Sequence, residues 1–248
     1  MSLRIALVSD IHGNVDALEA ALAEIEQAAP DRIAVLGDLV LNGPRPVEAV
    51  DKVMELEAAG AMVIAGNTDI AVADGDYTAA FPWLDEVPAS HRAAAEWSRE
   101  LLRDDQLDYL RRLPAERRLA FGGELVLATH GSPGSQTAGL PADLDAALTV
   151  QRVTRTDARV IACGHTHVAD VRELGRKLRV NPGSCGYAFD GTPDACWGLL
   201  TLEEDAEPQA ELRRAAYDPS IAAEEVADRG LPGDVYRAAT IRTGRFVR

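Results

Sequence analysis

Three short apolar runs open the chain, and each stops at a small polar group. Residues 4–8 end at Ser9-Asp10, residues 33–36 at Gly37-Asp38, and residues 61–65 at Gly66-Asn67. Between them the apolar positions take helical spacing. Leu18, Leu22 and Ile25 follow Asn14, a residue type suited to capping a helix. Val47, Val50 and Met54 follow Pro46, which suits a first helical turn. Pro30 and Gly60 end these stretches. Continuous apolar runs separated by helices predict β-α-β units that feed a buried sheet.

The spacing then changes. Asp10, Asp38 and Asn67 are 28 and 29 residues apart, but His130, the next polar residue after an apolar run, comes 63 later. The intervening stretch, about 70–116, is polar with helical spacing. Ser90 precedes Ala94, Trp97 and Leu101, and Asp104 or Asp105 precedes Leu107 and Leu110, with Pro114 as a stop. We read it as a helical insertion over the sheet edge. Residues 117–121 and 124–128 around Gly122-Gly123 predict a hairpin. A helix around Leu144, Leu148 and Val153 leads into a strand at 159–163 that ends in Gly164-His165-Thr166-His167. A second hairpin across 168–172 and 177–180 and two strands at 195–202 and 209–217 complete the pattern. From Ser220 the chain is charged and weakly periodic, read either as a packed helix or as an extension. The domain reading is a body over 1–217 with a C-terminal extension over 218–248.

Composition narrows the function classes. The chain has 248 residues, 47% of them hydrophobic, which suits one globular domain. Its formal charge of −15 opposes a phosphate backbone, so no long nucleic acid is expected as a partner. Cys163, Cys185 and Cys196 are too few and too scattered for a disulfide framework or a thiolate zinc site, and Cys163 and Cys185 read as small buried side chains. No apolar stretch approaches the roughly 20 residues of a membrane span, and the first residues lack a signal-peptide pattern. No membrane partner and a cytoplasmic location are therefore expected; oligomeric state is not encoded in any recognisable pattern.

Seven polar residues sit at or just past the ends of predicted strands: Asp10, His12, Asp38, Asn67, His130, His165 and His167. This is where open α/β sheets gather ligands. Any one of them reads equally well as a helix cap or a turn residue. Together they do not, because three carboxylate or amide groups and four imidazoles are costly to bury unless something binds them. A nitrogen and oxygen donor set with a carboxylate free to bridge fits two metal ions of the kind used on phosphate esters. Imidazole, carboxylate and amide favour Mn²⁺, with Fe, Ni, Co or Zn also suited and Mg²⁺ less so.

The ordered motifs carry a resemblance. Asp10-Ile11-His12-Gly13-Asn14, Gly37-Asp38, Gly66-Asn67-Thr68-Asp69, Thr129-His130-Gly131, Gly164-His165-Thr166-His167 and Asn181-Pro182-Gly183-Ser184 resemble the signatures of calcineurin-like metallophosphoesterases, in particular the small bacterial and archaeal phosphodiesterase branch. The resemblance covers roughly residues 3–202. It implies a four-layer α/β/β/α sandwich of two mixed sheets flanked by helices. It implies one ion held by Asp10, His12 and His167, another by Asn67, His130 and His165, and Asp38 bridging both. Asp38, Asn67, Asp69 and His130 would be the residues of the reaction. The implied activity is hydrolysis of small phosphate esters or nucleotides, most of all phosphodiesters, by a hydroxide between the ions. The alternatives are a dinucleoside polyphosphate hydrolase, a phosphomonoesterase or protein phosphatase, and, from another class, a metal-binding interaction scaffold of low activity.

Two departures bear on substrate. Thr68 stands where many relatives have a histidine that serves the leaving group, and Asp69 beside it reads either as an acid or as a residue that orients a ligand. Asn42 stands where related phosphatases grip phosphate with an arginine. Arg45 nearby reads as a substitute for it or as a solvated loop residue. His91 is expected on a surface helix. Phe81, Trp83 and Trp97 are expected to pack the insertion, with base stacking as the alternative.

Overall fold

A computed structural model describes residues 1–247. In chain order the elements are β1 (Ser2–Val8), α1 (Val15–Ala28), β2 (Arg32–Val35), α2 (Pro46–Ala58), β3 (Met62–Val63), α3 (Asn67–Asp74), α4 (Tyr77–Ala80), α5 (Ala89–Leu101) and α6 (Asp104–Arg112). They continue as β4 (Glu116–Phe121), β5 (Glu124–Thr129), α7 (Ala146–Val153), β6 (Val160–Ala162), β7 (Asp170–Leu174), β8 (Lys177–Asn181), β9 (Ala195–Glu203), β10 (Gln209–Ala215), α8 (Pro219–Arg229) and α9 (Asp234–Thr243).

The strands form two mixed five-stranded sheets, in the orders β10-β9-β1-β2-β3 and β4-β5-β6-β8-β7. The architecture is α/β, with both sheets flanked by helices, and the helical insertion is present as α3 to α6. Strand alternation builds the layers. Ile5 and Leu7 of β1 face a core shared with Val126, Val160 and Val180 of the other sheet. Ala6 and Val8, pointing the opposite way, pack with Leu18 and Ile25 of α1 and Val50 of α2. Each Ile or Leu buried in the inter-sheet layer contributes about 1.5–3 kcal/mol. On the far face, α7 covers β6 through Val153, Ile161 and Leu140.

Parallel pairing decides where the polar strand ends meet. β1 runs parallel to β2, and β2 to β3. In the second sheet β5, β6 and β8 are parallel in sequence. The loops that follow these six strands therefore leave at matching ends, and Asp10, Asp38, Asn67, His130, His165 and Asn181 all lie on or beside them.

Local details differ from the sequence reading for physical reasons. β3 is only two residues long, because the chain turns at once into α3. Pro88, not Ser90, precedes α5, and Arg103 precedes α6. Leu144 lies ahead of α7, whose start is capped by the Asp145 side chain on the Ala147 and Leu148 N–H groups. The weakly periodic tail folds as α8 and α9, packed together through Ala223, Val226 and Ile241 with Tyr187 of the body. Their polar contacts are as specific. Arg229 donates to the Gly43 and Asn42 carbonyls at 2.9 and 3.1 Å, and its guanidinium lies 4.4 Å over the Trp97 ring. Among the described residues no helix is long and apolar enough to cross a membrane.

Asp234 is buried between Arg229 and Arg237 and accepts from both, at 2.8 and 3.2 Å. Removing it strands two buried cations. D234A is expected to lower unfolding free energy by about 3–5 kcal/mol in urea titration. A loss within about 0.5 kcal/mol would contradict this placement of α8 and α9.

Candidate metal centre

The loops that follow β1, β2 and β6 place their polar side chains by adopting backbone conformations that ordinary residues avoid. Asp10, His12, Asp38, His165 and His167 all have φ between 53° and 67°, in the left-handed region. Such conformations cost of order 1–3 kcal/mol each and persist where the surroundings enforce them. Here the loops enforce one another. Asp10 N–H donates to Gly37 O at 3.0 Å, His12 N–H to Asp38 O at 3.0 Å, and Gly164 N–H to His130 O at 2.8 Å. The Asp10 carboxylate accepts the His165 N–H at 3.1 Å, tying the two sheets together. Two glycines permit this closeness. A Cβ on Gly66 would strike the Asp38 carboxylate, and one on Gly164 would lie 2.6 Å from Asp10 Oδ2.

Three imidazoles are oriented alike. His12, His130 and His167 point Nδ1 at the carbonyls of Leu41, Leu36 and Tyr187, at 3.2, 2.7 and 2.5 Å. Each carbonyl can only accept, so a ring proton sits on Nδ1, and the lone pair of Nε2 is left to bind something else. The Nε2 atoms of His12 and His167 lie 3.2 Å apart, and His167 Nε2 lies 3.2 Å from Asp10 Oδ1. His12 Nε2 is 3.6 Å from Asp38 Oδ2. Ligand atoms from Asp10, His12, Asp38 and His167, all buried, lie within 4.8 Å of one another. Two donors each about 2.1 Å from one ion are themselves about 3.0–3.5 Å apart, so this group has the spacing of a ligand set.

A second group abuts it. His130 Nε2 is fully buried with no hydrogen-bond partner, and its nearest acceptor is Asp38 Oδ2 at 3.4 Å. Asn67 Oδ1 lies 2.9 Å from His165 Nδ1, and the His130 and His165 rings are 5.2 Å apart. Asp38 joins the groups: Oδ1 accepts the Thr68 N–H at 2.9 Å, while Oδ2 faces both His12 and His130. All seven residues named from the strand ends thus surround one place.

The charges point the same way. Burial alone would raise the Asp38 carboxyl, yet His130 and then His12 beside it hold it well below the usual carboxylate range. Burial would lower His130, but the Asp38 charge outweighs it and holds the imidazole up to about 10. Burial opposes His167 too, and Asp10 raises it. His12 and His165 go down to about 4, through burial and a neighbouring imidazole each. Two carboxylates thus draw protons onto two histidines in the place of cations. The donor set, the orphaned Nε2 and this demand for positive charge all fit divalent metal.

Asp69 has a different position. Its carboxylate accepts the N–H groups of Asp38, Leu39 and Gly66 at 3.0, 2.8 and 2.8 Å. Burial, and after it the Asp38 charge, push this carboxyl up to about 7 in spite of those donors. Both oxygens are committed to the loops that carry Asp38 and Asn67. Asn181 and Ser184 hold the opposite wall: the Asn181 amide donates to Gly164 O at 2.8 Å, and the Ser184 hydroxyl to Asp10 O at 2.7 Å.

Several cleft residues carry no signal in the sequence. A cleft of about 700 Å³ over the cluster is lined by the insertion, through Trp83 and His91, and by the tail, through Tyr236 and Arg237. His91 is therefore a cleft residue and not a surface one; burial, then Arg237, lower its imidazole. Trp97 lies under Arg229, whereas Phe81, which is buried, and Trp83, which is exposed, both line the cleft. Arg45 is held by Asp16 and Glu225 at 2.9 and 2.6 Å, away from the cluster. Asn42 accepts from Arg237 at 3.2 Å.

A family model for the calcineurin-like phosphoesterase superfamily domain matches residues 3–205. An uncharacterized protein of Methanocaldococcus jannaschii is 25% identical over 92% of this chain and 93% of its own. The phosphodiesterase YfcE of Escherichia coli is 24% identical over 80% of this chain and 87% of its own. Among solved structures, a metallophosphoesterase of Sphaerobacter thermophilus superposes with a TM-score of 0.73 at 28% identity, covering 98% of this chain and 99% of that one. A hypothetical protein of Pyrococcus horikoshii gives a TM-score of 0.82 at 20% identity, covering 98% of both, and shares the fold.

Replacing Asp69 with asparagine keeps one acceptor oxygen for three backbone donors, puts an NH2 group against the rest and loosens Asp38. D69N is expected to weaken binding of Mn²⁺ about 10–100-fold in calorimetric titration. Unchanged affinity would show that the loops do not depend on this carboxylate.

Proposed function

The chain belongs to the calcineurin-like phosphoesterase superfamily, and on that premise we propose that it is a dinuclear metal-dependent phosphodiesterase acting on small phosphate esters. The observation that carries this reading is the joint position of Asp38, with one carboxylate oxygen facing imidazoles of both donor groups. Asp10, His12 and His167 would hold one ion, Asn67, His130 and His165 the other, and Asp38 both, with Mn²⁺ the first candidate. When bound, such a pair supplies Lewis acidity and lowers the pKa of water toward neutrality.

The chain's own residues do the rest. Asp38 and Asp10 supply the negative charge that draws cations to the cleft floor. The Nδ1 hydrogen bonds of His12, His130 and His167 keep these rings from turning. His130 is wholly buried, so its part is to hold the centre from beneath and not to meet substrate. Asn67 sits at the start of α3 with its Oδ1 toward His165, which leaves its amide hydrogens for a phosphoryl oxygen. Asp69 positions Asp38 and Asn67 by holding their loops; with both oxygens occupied it is poorly placed to protonate a leaving group. The likeness to YfcE supports a diester as substrate. Three buried free cysteines suit the reducing cytoplasm.

The test is hydrolysis of bis-p-nitrophenyl phosphate by protein stripped of metal and then reloaded. Stripped protein is expected to be inactive, Mn²⁺ to restore turnover, and D38N to lose at least about 10³-fold while keeping its circular dichroism. Turnover that survives both chelation and D38N would overturn the proposal.

A further inference from the structure

The cleft has an aromatic ring on each side of the donor cluster. On one side Trp83 meets the His165 ring edge-on, at 5.6 Å and 70°. Its other neighbour is Phe81, also edge-on at 5.8 Å and 88°, and Phe81 is buried. Trp83 itself is 53% exposed. A large ring anchored by a buried ring, beside a candidate ligand and half open to solvent, has the character of a stacking platform rather than of core. On the other side Phe189 stacks on His167 at 4.2 Å and 18°, and Phe246 tilts against Phe189 at 4.9 Å. His165 and His167 belong to the two different donor groups, so each aromatic flank borders one of them.

Charge limits what can lie between the flanks. Among the described residues lining the cleft, Arg237 is the single lysine or arginine. Its guanidinium is committed to Asn42 Oδ1 at 3.2 Å, Pro232 O at 2.9 Å, Asp234 Oδ1 at 3.2 Å and Ser90 O at 2.6 Å. Its side chain is 6% exposed. Arg45, the nearest alternative in sequence, is neutralised by two carboxylates. Among the described residues that line the cleft, no lysine or arginine is left free to balance a second or third phosphate. Further phosphates would be desolvated against rings, and the −15 net charge repels polyanions at longer range.

We propose that the flanks are subsites for the two substituents of a singly charged phosphodiester, and that Trp83 stacks on a flat aromatic group of the substrate, a nucleobase or an aryl ring, on the His165 side. This rests on the phosphodiesterase reading above. It selects, within that reading, one charge and one substituent chemistry. It also sets dinucleoside polyphosphates aside as preferred substrates.

The test uses three diesters with one leaving group, p-nitrophenolate, and different retained groups: thymidine through its 5′ oxygen, benzyl, and methyl. With Mn²⁺-loaded full-length protein, kcat/KM for the thymidyl or benzyl ester is expected to exceed that for the methyl ester by between about fivefold and a hundredfold, the range of ring-on-base stacking. In W83A that ratio should fall to within about twofold of unity, whatever happens to the methyl ester's own rate, and W83F should restore most of it. Preference for thymidyl over benzyl identifies a nucleobase site, and parity identifies a general aryl site. Thymidine 5′-diphosphate should inhibit no more than about twofold better than thymidine 5′-phosphate at saturating Mn²⁺. Equal rates on all three esters, a W83A ratio equal to that of wild type, or tenfold tighter diphosphate inhibition would each overturn the inference while the phosphodiesterase reading stands. Failure to cleave any of the three esters would overturn both.

Discussion

Two carboxylates, Asp10 and Asp38, are buried at the meeting point of two sheets, and an isolated buried carboxylate is far too costly to keep. Positive charge has to be brought to them. Four imidazoles surround them for that purpose, two raised and two lowered in pKa, so that the protein on its own can place only protons there. The spacing of the Nε2 and carboxylate atoms is that of ligands about a metal, and the orphaned Nε2 of His130 has no other partner. Much of the rest of the structure follows from this demand.

Holding like groups so close requires backbone that is itself unfavourable. Five of the seven cluster residues have left-handed φ, a conformation that relaxes unless it is pinned. Asp69 pins the Asp38 and Gly66 loops from beneath, Ser184 and Asn181 pin Asp10 and Gly164 from the side, and Arg229 pins Asn42 and Gly43 from the tail. Some of these ties are local, but those of Ser184 and Arg229 run across 174 to 187 residues of sequence, so the centre exists only in the completed sandwich. The same tail and the insertion wall the cleft, which joins its shape to the packing of elements outside the sheets.

The sheet, the helices between its first strands and the seven cluster residues were legible because each is announced locally: an apolar run, then a small residue, then a donor. Gly37-Asp38 and Gly66-Asn67 show it best, since glycine there answers a steric need that the structure displays directly for Gly66. The cleft walls were not legible. His91, Tyr236 and Arg237 lie on α5 and α9, and what they face depends on how those helices dock. Arg45 shows the same limit: its neighbourhood in sequence suggests a phosphate contact, but Asp16 and Glu225, from two other helices, claim it. Asp69 could be named from its motif. Its hydrogen bonds to two loops could not.

The account stands or falls on whether two divalent ions occupy the space between these seven side chains. The most direct measurement is anomalous diffraction from crystals grown with Mn²⁺, recorded near the manganese edge. The account predicts two peaks about 3.5–4 Å apart, one beside Asp10, His12 and His167, the other beside Asn67, His130 and His165, with Asp38 between them. One peak, or peaks elsewhere, under saturating metal would contradict a dinuclear centre.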